Sequence, residues 1–302
     1  MTAHLLHFKE YSPQQASDLL KRAISMKQAP AANTELLAGK QIVAIFEKPS
    51  LRTRVSFDIG INKLGGHMVY VDSQGSELKE REDPKDVGAN LSCWADAIVA
   101  RVFSHATLEA LRDGADIPVI NALCDRFHPC QALADYITMH ETLGDVQGRH
   151  MAYVGDGNNV THSLLILGIL LGCNQTVITP EGHGIDPDIQ AWCEQAARQH
   201  GVSLLVGNSP SQLKNVDVLY TDTWLSMGDD TPLADIKATF APYQVNADMM
   251  AYSGAQYAMH CQPAHRDLEI TAAVMDSQAS LLMQQAENRM HAQNAILAQL
   301  LA

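Results

Sequence analysis

Residues 41–72, QIVAIFEKPSLRTRVSFDIGINKLGGHMVYVD, contain two apolar runs separated by a more polar segment. The run 41–47 predicts a β-strand, and the polar segment predicts a helix that ends at the glycines 65 and 66. The run 67–72 predicts a second strand. A helix between two strands is typical of a parallel βαβ unit, so this stretch predicts a parallel sheet with helices on its faces.

The same alternation continues along the chain. Several of the later runs are apolar throughout, as expected for strands that helices cover on both faces. Further strands are predicted at 97–103, 117–122, 151–156, 176–180, 203–208, 216–222 and 256–262. We therefore predict an α/β fold made of two doubly wound parallel-sheet domains.

Two longer helices are also predicted. Residues 129–143 begin with a proline, carry apolar side chains at helical spacing and stop at Gly144, and this helix should join the two domains. Residues 278–302 contain no glycine or proline and are rich in Ala, Leu, Gln and Met, which predicts a helix at the end of the chain.

The composition is that of a globular protein, since 46% of the 302 residues are hydrophobic and 18% are charged. No apolar run of about 18 residues is present, so no membrane segment is predicted. Acidic residues (34) outnumber basic ones (21), and the net charge of −13 disfavours nucleic acid and anionic lipid as partners. The six cysteines form no C-x-x-C pair and the N-terminal residues have no signal-peptide pattern, so we expect a cytoplasmic protein with reduced thiols.

The segment FEKPSLRTRVSF (46–57) follows the first strand and opens a helix. Ser50 can cap that helix, whose N-terminal N–H groups, together with Arg52 and Arg54, could bind a phosphate group. The alternative is an ordinary capped helix whose arginines pair with nearby acids.

Two further features suit an anionic ligand. Arg101 lies in an apolar strand, where an unpaired charge is costly, so it should find an anion or form a structural salt bridge. In HPCQALAD (128–135), His128 and Gln131 lie one turn apart at the start of a helix and could face a ligand. A capping histidine and a solvated glutamine are the alternative.

The second half has polar groups after three strands. The turn GDGNN (155–159) is followed by Val160 where a dinucleotide fingerprint needs glycine, so NAD binding is disfavoured. Asp222 follows a strand and could pair with an amine. His260, Cys261 and His265 lack the paired spacing of zinc ligands, and a Cys–His nucleophile needs a contact that adjacency does not establish. We expect no metal and no cofactor.

Taken in order, these motifs resemble the aspartate/ornithine carbamoyltransferase family along the whole chain, and most closely its ornithine-using members. The motifs are FEKPSLRTRVSF, HPCQALAD, YVGDGNNVTHS, DTWLSMG, HCQPAHR and ENRMH (287–291). The resemblance implies transfer of the carbamoyl group of carbamoyl phosphate to the side-chain amine of L-ornithine, as used in arginine biosynthesis. The products would be L-citrulline and phosphate, without a covalent enzyme intermediate.

The resemblance also implies how the chain is organised. Residues 1–135 would form a carbamoyl-phosphate-binding domain, to which the C-terminal helix 278–302 crosses back, and 136–277 would bind ornithine. The implied assembly is a homotrimer with shared active sites.

Site residues are implied in the same way. Arg101, His128, Cys261 and Asp222 would be catalytic. The residues implied for carbamoyl phosphate are Ser50, Leu51, Arg52, Thr53, Glu77, Arg101, His128, Gln131, Cys261, Gln262 and Arg289. Those implied for ornithine are Asn159, Asp222, Ser226 and Met227.

Three of these positions depart from the family pattern. Leu51 replaces the usual threonine and offers only its backbone N–H, and Gln262 replaces a leucine whose carbonyl is the group used. Glu77 stands where many members have glutamine. Because a carboxylate repels phosphate, we expect Glu77 to point away and leave Lys79 or Arg81 as the donor.

Two other functions are also compatible with parts of this pattern. A carbamoyltransferase acting on aspartate, putrescine or an acylated ornithine would share the phosphate motif, and the DTWLSMG segment discriminates against it. A non-catalytic relative would keep the fold and lose the charged residues, which this chain retains.

Overall fold

The computed structural model describes residues 4–73, 77–224 and 231–302. The chain divides into two compact units, one formed by residues 1–137 and 288–302 and the other by residues 138–287. Both changes of unit fall inside helices, which are Pro129–Leu143 (α5) and Leu282–Leu301 (α11).

The first unit contains a four-stranded parallel sheet in the order β2-β1-β3-β4. Of its central strands, β3 is fully buried and β1 is buried from Ile42 to Phe46, as the apolar runs require. The elements are α1 (Pro13–Gln28), β1 (Gln41–Phe46), α2 (Leu51–Lys63), β2 (His67–Asp72), α3 (Pro84–Ser92), β3 (Ala97–Arg101), α4 (His105–Gly114) and β4 (Val119–Leu123).

The second unit contains a five-stranded parallel sheet in the order β7-β6-β5-β8-β9. Its elements are β5 (His150–Val154), α6 (Asn159–Leu170), β6 (Asn174–Ile178), α7 (Pro187–His200), β7 (Leu204–Gly207), β8 (Val218–Thr221), α8 (Leu233–Phe240), α9 (Ala247–Ser253), β9 (Tyr257–His260) and α10 (Ala272–Met275). Helix α6 is buried from Val160 to Leu170, which agrees with its almost uniformly apolar sequence. The carboxyl ends of these strands place the polar turns of the unit at one edge of the sheet.

The predicted α/β architecture is confirmed, and each predicted strand is present with ends that differ by at most two residues. The helix 129–143 is also confirmed. The terminal helix begins at Leu282, so its predicted start at residue 278 was wrong. The backbone of 279–281 instead pairs with β9, where Ala258 accepts the N–H of Leu281 (3.0 Å) and donates to the carbonyl of Ala279 (2.8 Å).

Among the described residues, none of the helices is both long and apolar enough to cross a bilayer.

Candidate functional site

Ser50 caps α2, as the sequence predicted. Its hydroxyl accepts the backbone N–H of Thr53 (3.2 Å) and donates to the Thr53 hydroxyl oxygen (2.8 Å). Thr53 is buried, so its hydroxyl is fixed at the start of the helix. Leu51 and Arg52, the first residues of α2, are exposed.

Arg289 in α11 connects several of the predicted site residues. Its guanidinium donates to Gln131 Oε1 (2.7 Å), Thr53 Oγ1 (2.7 Å) and His128 Nε2 (3.1 Å). We call these four side chains the Arg289 cluster, and all are buried in the first unit. Gly60 of α2 allows α11 to approach, because a Cβ there would collide with Asn294 and Met290.

The orientation of Gln131 is set by Asp135, a residue that the sequence analysis did not assign to the site. Gln131 Nε2 donates to Asp135 Oδ1 (2.8 Å) one turn further along α5, so its amide oxygen faces Arg289. Asp135 is fully buried. The i, i+4 spacing of the two residues was the signal that could have identified this pair.

His128 is held as a neutral imidazole. A guanidinium can only donate hydrogen bonds, so His128 Nε2 accepts from Arg289 and the ring proton is assigned to Nδ1. Burial lowers the pKa of His128 well below its usual value, and the charges of Arg289 and Arg101 lower it further. His128 therefore stays neutral at physiological pH.

Arg101 is the last residue of β3 and is 5% exposed. In the described part of the chain it has no carboxylate within salt-bridge distance, and its Nε has no hydrogen-bond partner. Burial, followed by the charges of Arg289 and Arg52, lowers the pKa of Arg101 to about 10. The structural salt bridge considered for Arg101 is thus not formed, and the first unit holds a buried cation that an anion would stabilise.

Glu77 forms an ion pair with Lys79 (2.7 Å). This pairing raises the pKa of Lys79 through the hydrogen bond and charge of Glu77. Lys79, one of the two predicted alternative donors, is therefore occupied by Glu77 in this structure.

In the second unit, Asp222 follows β8 and is buried. Its Oδ1 accepts the Thr223 N–H (2.8 Å) and the Cys261 thiol (2.9 Å), and its Oδ2 accepts from Asn158 Nδ2 (2.9 Å). Two of the predicted catalytic residues, Asp222 and Cys261, are therefore in contact.

Asn158 is a functional candidate that the sequence analysis missed in favour of its neighbour, Asn159. The Asn158 side chain caps α6 by accepting the N–H groups of Val160 (2.9 Å) and Thr161 (3.2 Å), while its amide donates to Asp222. Asn159 is the first residue of α6 and half-buried. Asn158 thereby fixes Asp222 relative to the helix N-terminus.

His260 and Glu269 are fully buried and support the segment that carries Cys261. His260 Nε2 lies 3.0 Å from Glu269 Oε1, and its Nδ1 accepts the N–H of Gln262 (2.9 Å). Gln262 has φ 61°, a left-handed conformation that is costly for this residue type. The bond from Gln262 to His260 helps to hold that conformation.

Asp222, His260 and Cys261 offer potential metal-ligand atoms within 4.8 Å of one another. Both ring nitrogens of His260 are engaged, however, with Glu269 and with the Gln262 backbone. His260 could therefore ligate a metal or act as a base for Cys261 only after losing one of these bonds.

Ser226 and Met227, the remaining predicted ornithine residues, lie outside the described residues.

Family models match both parts of the chain. They are described as aspartate/ornithine carbamoyltransferase, carbamoyl-P binding domain, over residues 3–141 and aspartate/ornithine carbamoyltransferase, Asp/Orn binding domain, over residues 147–300. The chain is 53% identical over 294 residues to an ornithine carbamoyltransferase of Shewanella oneidensis, covering 97% of this chain and 98% of the relative.

Solved structures are similar as well. The ornithine carbamoyltransferase from Pyrococcus furiosus aligns with a TM-score of 0.94 at 43% identity, covering 99% of this chain and 96% of the other. An acetylornithine transcarbamylase complexed with acetylcitrulline aligns with a TM-score of 0.88 at 27% identity, covering 99% of each chain.

Proposed function

Because the chain belongs to the aspartate/ornithine carbamoyltransferase family, we propose that it transfers the carbamoyl group of carbamoyl phosphate to the side-chain amine of L-ornithine. The products are L-citrulline and phosphate. The observation that carries this proposal is the buried Arg101 beside the Arg289 cluster, with no carboxylate bound to it among the described residues. An anionic ligand stabilises such a group of cations, and the phosphate group of carbamoyl phosphate supplies one.

Carbamoyl phosphate is proposed to bind at the start of α2 and around Arg101. Ser50, Leu51, Arg52 and Thr53 would contact the phosphate through the helix N-terminus, hydroxyls and guanidinium. Thr53 Oγ1 already accepts from Ser50 and Arg289, so its own proton is available for a ligand. The other proposed contacts are Arg101, His128, Gln131, Cys261, Gln262 and Arg289. Glu77, which pairs with Lys79, is proposed to point away from the phosphate.

Ornithine is proposed to bind in the second unit. Asp222 would pair with the α-ammonium group, since it is a buried carboxylate without a cationic partner among the described residues. Asn159 and the backbone of Met227 would hold the α-carboxylate, and Ser226 would assist Asp222. The acetylated substrate class lacks the α-ammonium charge, so Asp222 favours ornithine over acetylornithine.

The proposed reaction is a direct displacement. The neutral ornithine amine attacks the carbamoyl carbon, the C–O bond to phosphate breaks, and the amine loses a proton to solvent or phosphate. Negative charge builds on the carbamoyl oxygen, where Arg101, the Thr53 hydroxyl and His128 Nδ1–H are proposed to donate. No covalent enzyme intermediate is needed, because holding the two substrates in contact supplies much of the acceleration.

A homotrimer with shared active sites is proposed as the assembly. Its support is an exposed apolar stripe on α2, formed by Leu51, Val55 and Ile59 at intervals of four residues, beside exposed Val69 and Val71 on edge strand β2. Sedimentation should give three times the chain mass, and Ile59→Glu should lower it. A monomeric wild-type protein would contradict this assembly.

A cytoplasmic location is proposed because all six cysteines are free thiols.

The test is a citrulline assay with purified protein, carbamoyl phosphate and a panel of amines. We expect turnover with ornithine to exceed turnover with aspartate, putrescine and N-acetylornithine by at least about tenfold in kcat/KM. Equal use of putrescine would remove the assignment to ornithine, and no turnover of any amine would remove the transferase assignment.

A further inference from the structure

Glu47, the residue after β1, is a fully buried carboxylate in the first unit. Its Oε1 accepts the backbone N–H of Leu78 (2.6 Å), and its Oε2 accepts that of Phe103 (2.7 Å). Its own N–H donates to the carbonyl of Arg101 (2.8 Å). One residue therefore joins three chain segments, namely the end of β1, the chain just after β3, and the 3₁₀ turn Leu78–Glu80.

The charge of Glu47 does not itself favour the binding of an anionic ligand. Lys48 interacts electrostatically with both Glu47 and Arg101. Burial and the charge of Arg101 lower the pKa of Lys48, whereas the charge of Glu47 raises it. Through its backbone hydrogen bond to Arg101, Glu47 lies beside the strand end that carries one of the cations proposed to bind an anion. A negative charge there weakens anion binding by Coulomb repulsion, so its contribution must be geometric.

We propose that Glu47 is a positioning residue for the anion site. By accepting the N–H of Phe103, it fixes the main chain two residues beyond Arg101. By accepting the N–H of Leu78, it holds the turn that carries the Glu77–Lys79 ion pair. Glu47 acts through Arg101 and this turn, and the inference rests on the proposed function only for the identity of the anion.

The variant Glu47→Gln separates geometry from charge. A carboxylate accepts through both oxygens, whereas the amide of glutamine has one acceptor and one donor. Its NH₂ group would face the N–H of Leu78 or Phe103, so one of the two hydrogen bonds is lost while the side-chain volume stays nearly constant. Coulomb repulsion alone predicts tighter anion binding in this variant, and the positioning role predicts weaker binding.

The experiment measures the dissociation constants of inorganic phosphate and carbamoyl phosphate by calorimetry. We expect Glu47→Gln to raise both by about tenfold or more, with faster amide hydrogen exchange confined to peptides containing Leu78 or Phe103. Unchanged or tighter binding would overturn the proposal. Faster exchange throughout the first unit with unchanged anion affinity would also overturn it, since the role would then be structural.

Asp83→Asn is the matched control, because Asp83 also accepts a backbone N–H, from Lys85 (3.0 Å), but as the exposed N-cap of α3. Its anion affinity should stay within about twofold of the wild type. If Glu47→Gln fails to fold, Leu78→Pro takes its place. Proline suits the first position of a short helix, and the substitution removes the N–H that Glu47 accepts along with the half-buried leucine side chain.

The two proposals fail in different ways. A wild-type protein that binds phosphate but makes no citrulline contradicts the proposed function, and the phosphate affinities still decide the role of Glu47. If a Leu78→Pro variant bound phosphate with wild-type affinity, the hydrogen bond between Glu47 and the Leu78 N–H would not contribute to anion binding.

Discussion

The two units differ sharply in charge. Residues 1–137 and 288–302 contain 16 Lys and Arg against 17 Asp and Glu, whereas residues 138–287 contain 5 against 17. The buried guanidinium groups, Arg101 and Arg289, belong to the nearly neutral first unit, which also buries the carboxylates Glu47 and Asp135. Among its described residues, the second unit buries the carboxylates Asp222 and Glu269 and no arginine or lysine. The proposed ligands agree with this difference, since the anion is assigned to the unit with the buried guanidinium groups and the cationic amine to the acidic unit.

The largest effect is expected for Arg289→Met, which removes three buried charge-assisted contacts from the first unit. We expect kcat/KM for carbamoyl phosphate to fall about a thousandfold, roughly 4 kcal/mol. Arg22→Met is the control, because Arg22 also contacts α11, through the Ala298 carbonyl (3.0 Å), without joining the Arg289 cluster. A loss below tenfold would break the assignment of the anion to this unit.

The second prediction concerns acid stability. Burial and the neighbouring His105 lower the pKa of His7 from 6.5 to about 4. Between those values the unfolded chain binds a proton that the folded chain does not, so stability falls as pH falls through this window. The loss from His7 approaches about 3 kcal/mol.

Urea unfolding between pH 7 and pH 4 measures this effect. In the variant His7→Asn, the free energy of unfolding should depend less on pH than in the wild type, even if the variant is less stable at pH 7. His200→Gln, at an exposed position of the second unit, should leave the slope unchanged. The groups with lowered histidine pKa values, His4, His7, His105 and His128, all belong to the first unit. If the free energy of unfolding of His7→Asn fell with pH as steeply as that of the wild type, His7 would not be a source of the acid sensitivity.

The third prediction tests the carboxylate of the second unit. Asp222→Asn should lower kcat/KM for ornithine at least about tenfold, 1.4 kcal/mol or more, while carbamoyl phosphate affinity changes little. The new amide would also face Asn158, which now donates to Asp222. The control is Asp217→Asn, since Asp217 accepts the His150 N–H (2.8 Å) at the opposite end of β8. Unchanged kinetics with ornithine would contradict the pairing of Asp222 with the amino acid.

The smallest effect is a response to salt. Ornithine carries a net positive charge, and the acidic second unit should attract it through a field that salt screens. Raising the ionic strength from about 0.02 to 0.2 M should lower kcat/KM for ornithine about two- to fivefold, and that for carbamoyl phosphate less. Initial rates at both salt concentrations test this. Equal salt effects for the two substrates would show that the charge difference between the units does not act on binding.

Much of the fold was predictable because its signals are local. The alternation of apolar runs and helical segments determined the strands, and the prolines and glycines at helix ends determined α5 to the residue. The Ser50 cap was predictable for the same reason, since it depends on a contact three residues away. The start of α11 was missed because its preceding residues pair with β9, a contact that no local pattern reveals.

The site was predictable in its residue types and less in its supporting contacts. Asn158 and Glu47 act through distant partners that no motif identifies: a carboxylate 64 residues away for Asn158, and two backbone N–H groups 31 and 56 residues away for Glu47. The partner of Asp135 is an amide one turn away, so its i, i+4 spacing could have been recognised.

The sequence by itself determined that this chain is an α/β protein with a serine-capped helix start beside two arginines, a basic residue inside an apolar strand and an acid at a strand end. These are properties of a few neighbouring residues, set by periodicity, capping and the cost of burying charge. Only the tertiary structure decided that Arg289 reaches Thr53, 236 residues away, that Arg101 has no acidic partner among the described residues, and that His128 accepts a hydrogen bond as a neutral ring. The reason is that hydrogen bonds and desolvation depend on distances in space, and distant segments acquire those distances only when the sheets and helices pack.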